Sequence, residues 1–142
     1  MKRLTTDERD IYAELSRDFP MCLACGIPWR VAKQEPGYPR WDERHHIIKS
    51  GRVTVRENLI VLCKRDHDLV EGASIRVDGK LLTRLRLSHI LYLKFHLDEL
   101  DRKTLCKIAG RKVLPDIALP PAWIRHEFYR WQGCEYNRWR LG

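Results

Sequence analysis

Arg44-His45-His46-Ile47-Ile48-Lys49, then Asn58-Leu59-Ile60-Val61-Leu62-Cys63, then Asp66-His67, is the stretch that decides the fold. Leu59–Leu62 is an unbroken apolar run of strand length and reads as a buried strand. His45–Ile48 reads as a short strand, and Lys49–Arg52 as a polar turn or loop after it. Lys64–Glu71 reads as a short helix stopped by Gly72. Strand, loop, strand, helix is the expected organisation, and the fold class is α+β. Cys22-x-x-Cys25 stands ahead of this unit and reads as a tight knuckle over Met21–Gly26.

Working outward, Ile11, Tyr12 and Leu15 give one apolar face to an N-terminal helix within residues 1–20, with Thr5-x-x-Glu8 as a capping box and Pro20 as its limit. Residues 28–42 contain Pro28, Pro36, Gly37 and Pro39 and read as a loop, pinned by aromatic side chains. Asp78-Gly79 suits a two-residue hairpin turn. Ser88 can cap a helix whose apolar positions include Leu91, Tyr92, Phe95 and Leu100. Thr104, Leu105 and Ile108 continue it or form another, closed near Gly110. Pro121 suits the first turn of a last helix with Trp123, Ile124, Phe128 and Trp131 on its face and Gly133 at its end. The expected division is an N-terminal helix at 1–20, a metal-binding core at 21–84 and a helical support at 85–142. Two short strands and one helix bury little area alone, so added helices and a metal answer the same need.

The residue types suit phosphodiester hydrolysis, which needs a nucleophile, charge stabilisation and help for the leaving oxygen. A neutral imidazole, with a usual pKa of about 6.5, takes a proton from water at neutral pH. A divalent cation supplies the rest. Adjacent strand residues point to opposite sides, so His45 and His46 cannot both face one ion from a regular strand. That separates a ligand from a base without saying which is which.

In order and context these residues resemble the HNH endonuclease family, the ββα-metal nucleases, in its zinc-clipped branch. The branch signature is a Cys-x-x-Cys, a His-His pair, an Asn, and Leu-Cys-x-x-Cys-His. Here it is Cys22/Cys25, His45-His46, Asn58 and Leu62-Cys63-Lys64-Arg65-Asp66-His67. The resemblance spans roughly residues 21–72 and implies a small ββα-metal core with a zinc knuckle, embedded in additional helices. It implies that His45 and His67 bind a catalytic Mg²⁺ or Mn²⁺, that His46 is the general base, and that Asn58 holds the motif loop and helps orient His46. Glu71, one turn after His67, is a further candidate ligand, against an ordinary solvated glutamate. Cys22, Cys25 and Cys63 match three positions of a structural Zn²⁺ site, and Asp66 stands where the fourth cysteine usually is. Cys106, Cys134, His89, His96 and His126 are rival fourth ligands, and three cysteines buried without metal are the plain alternative.

The resemblance implies a DNA endonuclease of phage or mobile-element origin. Double-strand cleavage by one such site needs two events or a homodimer. A weaker resemblance points to a phage recombination nuclease that works with the RecA recombinase. The rival readings are a zinc-stabilised nucleic-acid-binding module that does not cut, and a packaging accessory acting through protein contacts. RNA is not distinguished from DNA by any feature of the chain.

The formal charge of +8 suits a polyanion, here DNA and double-stranded by expectation. Residues 28–65 carry nine basic and four acidic side chains, so the motif region is locally positive. Arg44, Lys49, Arg52, Arg56 and Arg65 are the candidate phosphate contacts. Five cysteines, an odd number, argue against a closed disulfide scaffold. No run approaches the roughly 20 apolar residues of a membrane span, so a reducing cytoplasm is the expected setting.

Overall fold

The computed structural model describes residues 6–34 and 43–133. Helix α1 (Thr6–Asp18) ends before Pro20, with Leu15 buried and Ile11 and Tyr12 packed beside it. Thr5 of the expected capping box lies outside the described residues. Leu23 then docks its backbone N–H on the Val61 carbonyl at 3.0 Å, so the knuckle sits against the motif. The loop expected after it begins instead with a helical turn, α2 (Trp29–Ala32). Pro28 explains the difference: its fixed φ of −66° suits the residue that opens a helix. Trp29 does pin this segment, donating from Nε1 to the Phe19 carbonyl at 3.0 Å.

The centre is a two-stranded antiparallel sheet of β1 (Glu43–His46) and β2 (Leu59–Leu62), with His45 opposite Ile60 and His46 opposite Leu59. The first strand starts two residues earlier than expected. All four residues of β2 are buried, as an apolar run without alternation requires. Helix α3 (Lys64–Val70) follows directly and ends where Gly72 takes a positive φ of 97°. This completes a ββα unit.

A small hairpin, β3 (Arg76–Val77) and β4 (Lys80–Leu81), turns through Asp78 and Gly79, both at positive φ as the turn demands. Helices α4 (Leu87–Leu97), α5 (Arg102–Ala109) and α6 (Ala122–Gln132) complete the described chain. Arg86, not Ser88, precedes α4, with its backbone N–H given to His89 Nδ1 at 3.0 Å. Phe95 is also not a core residue: it is 50% exposed, while the unbroken run Ile90–Lys94 is buried. Asp101 caps α5 by accepting from the Thr104 N–H, and Gly110 and Gly133 end α5 and α6 in the left-handed conformation. One continuous core joins Leu15, the knuckle, β2, Leu69, α4, Leu105 and the Ile124/Phe128 face of α6. No described helix is long and apolar enough to cross a membrane.

A buried lysine ties α4 to the motif. Lys94 Nζ donates to the Arg56 and Leu59 carbonyls at 3.0 and 2.9 Å and pairs with Asp98 at 2.5 Å. Those carbonyls flank Asn58. Burial pushes the Lys94 pKa below its ordinary 10.5, with Asp98 opposing. The unfolded chain therefore holds this proton more firmly, and the Lys94 contribution to stability rises with pH towards 10.5. Lys94→Met is expected to cost about 2–4 kcal/mol in urea unfolding, because two carbonyls lose their donor and Asp98 loses its nearer cation. It should also remove part of the alkaline rise. A variant as stable as the parent would show that the staple contributes nothing.

Candidate metal centres

The first cluster joins the knuckle to the β2–α3 junction. Cys22, Cys25, Cys63 and Asp66 are all buried, and one donor atom from each lies within 4.8 Å of the others. The Cys25 and Cys63 sulfurs are 3.9 Å apart, and Cys22 Sγ is 3.3 Å from Asp66 Oδ2. A tetrahedral ion with zinc-like bond lengths needs edges of about 3.8 Å between sulfurs and about 3.5 Å from sulfur to oxygen. The donor set fits. Backbone N–H groups of Ala24 and Cys25, both 3.4 Å from Cys22 Sγ, support the sulfur as a knuckle does.

Electrostatics agrees. Burial pushes the Cys25 and Cys63 thiols well up, and pushes the Asp66 carboxyl up to about 7, with the neighbouring Cys22 charge adding to it. Burial acts upward on Cys22 too, but hydrogen bonds from Cys25 and Cys63 outweigh it and hold this thiol low. Four acid groups thus compete to carry little charge where water cannot help. Coordination to a cation removes that conflict. Three of the rival fourth ligands are engaged elsewhere. Cys106 points its thiol at the Lys112 carbonyl at 3.7 Å, and His96 stacks on Tyr92 with centroids 4.2 Å apart. His89 Nδ1 is taken by Arg86, and Cys134 lies outside the described residues.

The second cluster is the neighbour of the first. His45, His67 and Glu71 bring donor atoms within 4.8 Å of one another. Glu71 Oε1 lies 3.5 Å from His45 Nδ1 and 3.3 Å from His67 Nε2, and the two rings meet edge to face with centroids 5.0 Å apart. Burial, reinforced by His67, pulls His45 down to about 4, so its imidazole is neutral at pH 7, as a ligand must be. A hydrogen bond from Lys49 holds Glu71 below the usual carboxylate range.

Two residues of this site were not expected from the sequence. Glu43 Oε2 sits 2.9 Å from His67 Nδ1, one strand position pair before His45 and on the same face of β1. Accepting that Nδ1–H leaves His67 Nε2 to face Glu71 and an ion. Thr54 Oγ1 lies 2.9 Å from His46 Nε2 and is itself aimed at the Arg52 carbonyl at 3.4 Å. With its proton directed there, Thr54 accepts from Nε2–H, and His46 Nδ1 keeps the free lone pair. Their only hint was period-two spacing for Glu43 and loop position for Thr54.

Asn58 is fully buried. Its Oδ1 accepts from the Ile48 N–H at 2.8 Å, and its Nδ2 donates to the Ile48 and Val53 carbonyls at 3.0 and 2.9 Å. It therefore closes the loop that carries Thr54, and reaches His46 only through it.

Arg44, His45, His46, Lys49, Arg52, His67 and Glu71 line one cleft of about 400 Å³. Arg44 is braced by the Tyr12 carbonyl and Ser16 Oγ, and Lys49 pairs with Glu71. Arg56 and Arg65, also expected at a phosphate, do not line this cleft and are engaged by carboxylates. Arg56 is enclosed by Glu14, Asp18 and Asp98 at 2.5, 2.5 and 3.4 Å. Arg65 grips Glu127 of α6 with two bonds at 3.1 and 2.7 Å and reaches Asp66 at 3.0 Å. Paired hydrogen bonds between guanidinium and carboxylate are strong and geometrically specific.

The chain matches no known family, no curated protein and no solved structure. The site therefore stands on its own geometry.

The purified protein is expected to carry about one equivalent of a thiophilic ion, read by elemental analysis. Cys63→Ala should lose it and unfold at lower temperature, whereas Asp66→Cys should retain it. Full metal content in Cys63→Ala would remove Cys63 from the ligand set.

Proposed function

We propose that the protein is a metal-dependent endonuclease of the HNH type, hydrolysing phosphodiester bonds in DNA, with a structural zinc in the thiol clip. The observation that carries this is the convergence of His45, His67 and Glu71 in a cleft whose wall also holds His46. In this reading His45, His67 and Glu71 hold the catalytic ion, and Glu43 sets the ring of His67. The ion supplies charge stabilisation at the phosphate and help for the leaving oxygen. His46 Nδ1 takes the proton of the attacking water, with Thr54 fixing the ring and Asn58 fixing the loop beneath it. Arg44, Lys49 and Arg52 meet the phosphate. The substitution of Asp66 for the usual clip cysteine is tolerated because carboxylate oxygen is itself a zinc ligand.

Two imidazoles beside one carboxylate make the set softer than an all-oxygen site, which favours Mn²⁺ over Mg²⁺ as working ion. Double-stranded DNA as substrate draws support from the +8 charge. A phage or mobile-element setting, a cytoplasmic location and a homodimer or recombination partner rest on the family resemblance.

Supercoiled plasmid is expected to be nicked with Mn²⁺ or Mg²⁺ and to stay intact in EDTA. His46→Ala should slow nicking about 10²–10⁴-fold with circular dichroism and clip metal unchanged. An unaltered rate would remove His46 as the base, and a parent protein that binds the plasmid without ever nicking it is a binding module.

Glu43→Gln is expected to raise the Mn²⁺ concentration for half-maximal nicking about 10–100-fold, with the rate recovering at saturating metal. An unshifted metal titration would mean that Glu43 does not act through His67.

A further inference from the structure

A second cleft of about 400 Å³ shares His45 and Lys49 with the metal cleft, and so opens directly beside it. Its floor is apolar, built from Ile47, Val70 and Leu87, and its rim carries Arg84 and Arg86. Both arginines are exposed, and among the described residues neither is paired with a carboxylate. That sets them apart from Lys49, Arg56 and Arg65, each of which has an acidic partner. Arg84 is also placed rather than free-ranging. A Cβ built on Gly72 would lie 3.6 Å from its guanidinium, so Arg84 lies across the C-terminal end of α3, where helix carbonyls favour a cation. The helix that carries His67 and ends at Glu71 therefore also seats a rim residue of this cleft.

We propose that this cleft is a subsite for the nucleotide next to the scissile phosphate. Arg84 and Arg86 take the flanking phosphate, and the apolar floor packs against its sugar. The inference rests on the nuclease reading and extends it. A polynucleotide is the occupant because the cleft joins an apolar floor to unpaired positive charge, and because it continues a cleft already suited to a phosphodiester. The floor carries no base-reading donor or acceptor side chain, so the subsite contributes affinity and register rather than sequence choice.

The test uses the full chain with Arg84→Ala/Arg86→Ala, and with Arg111→Ala/Lys112→Ala as a control of equal charge loss that lines neither cleft. Binding of a fluorescent 20-base-pair duplex is measured in EDTA across a salt series. Plasmid nicking and hydrolysis of bis(p-nitrophenyl) phosphate, a diester too short to reach the subsite, are measured in Mn²⁺. The rim variant is expected to bind duplex about tenfold more weakly at moderate salt, with a salt slope shallower by about 1–2, while the control shifts less. It should nick plasmid more slowly yet hydrolyse the short diester at the parental rate. Parental duplex binding by the rim variant, equal weakening in the control, or a matching loss on the short diester would each overturn the subsite. If the parent cleaves neither substrate, the nuclease reading fails, and the salt-slope comparison still decides whether Arg84 and Arg86 hold a nucleic-acid phosphate. A parent that binds no duplex overturns both.

Discussion

Three thiols and a carboxylate buried within one another's reach are the constraint on which the rest of this structure depends. The cluster bonds the knuckle at Cys22–Cys25 to the start of α3, across 38 or more residues of chain. Asp66 and His67 are consecutive on that helix. The first points into the clip and the second into the cleft. Anything that holds Asp66 therefore sets the direction of His67, and with it the spacing to Glu71. Arg65 Nε reaches the clip at Asp66, while its two terminal nitrogens hold Glu127.

The same economy governs β1. Its period-two alternation sends Glu43 and His45 to the α3 side and Arg44 to α1, where Tyr12 and Ser16 receive it. His46 is the last residue of the strand, so it is released from strict alternation and turns to Thr54. Two neighbouring histidines thus face different partners because the second stands at the strand's end. Lys94 and Asn58 then hold the loop that follows, one from α4 and one from within the motif.

How far the sequence could be read follows from how local each cause is. Leu59–Leu62 was legible because four apolar residues in a row have one stable use. The hairpin was legible in Asp78-Gly79, and two helix ends in Gly110 and Gly133, since these conformations depend on a single residue. The clustering of Cys22, Cys25, Cys63 and Asp66, and of His45, His67 and Glu71, agrees with the spacing of the motif. The α2 turn was hidden by its proline-rich surroundings, although Pro28 opens it. Ser88 looked like a cap by residue type, but the helix starts earlier. Phe95 looked like core and is exposed, while its neighbour Lys94 is buried. That comes from α4 turning Lys94 towards two carbonyls of a distant segment, Arg56 and Leu59, and towards Asp98 one turn on. The ion pairs of Arg56 and Arg65 were illegible because they are not local. Their partners Glu14, Asp18 and Glu127 lie 38 to 62 residues away, beyond any local pattern.

Arg65 has one more neighbour. Its guanidinium lies over the Trp123 ring at 5.2 Å, while its other contacts run to Asp66 and to Glu127 on the same helix as Trp123. An indole against a cation changes its excited-state energy when that cation moves. A change of charge at Asp66 thus reaches the Trp123 ring through a single intervening side chain.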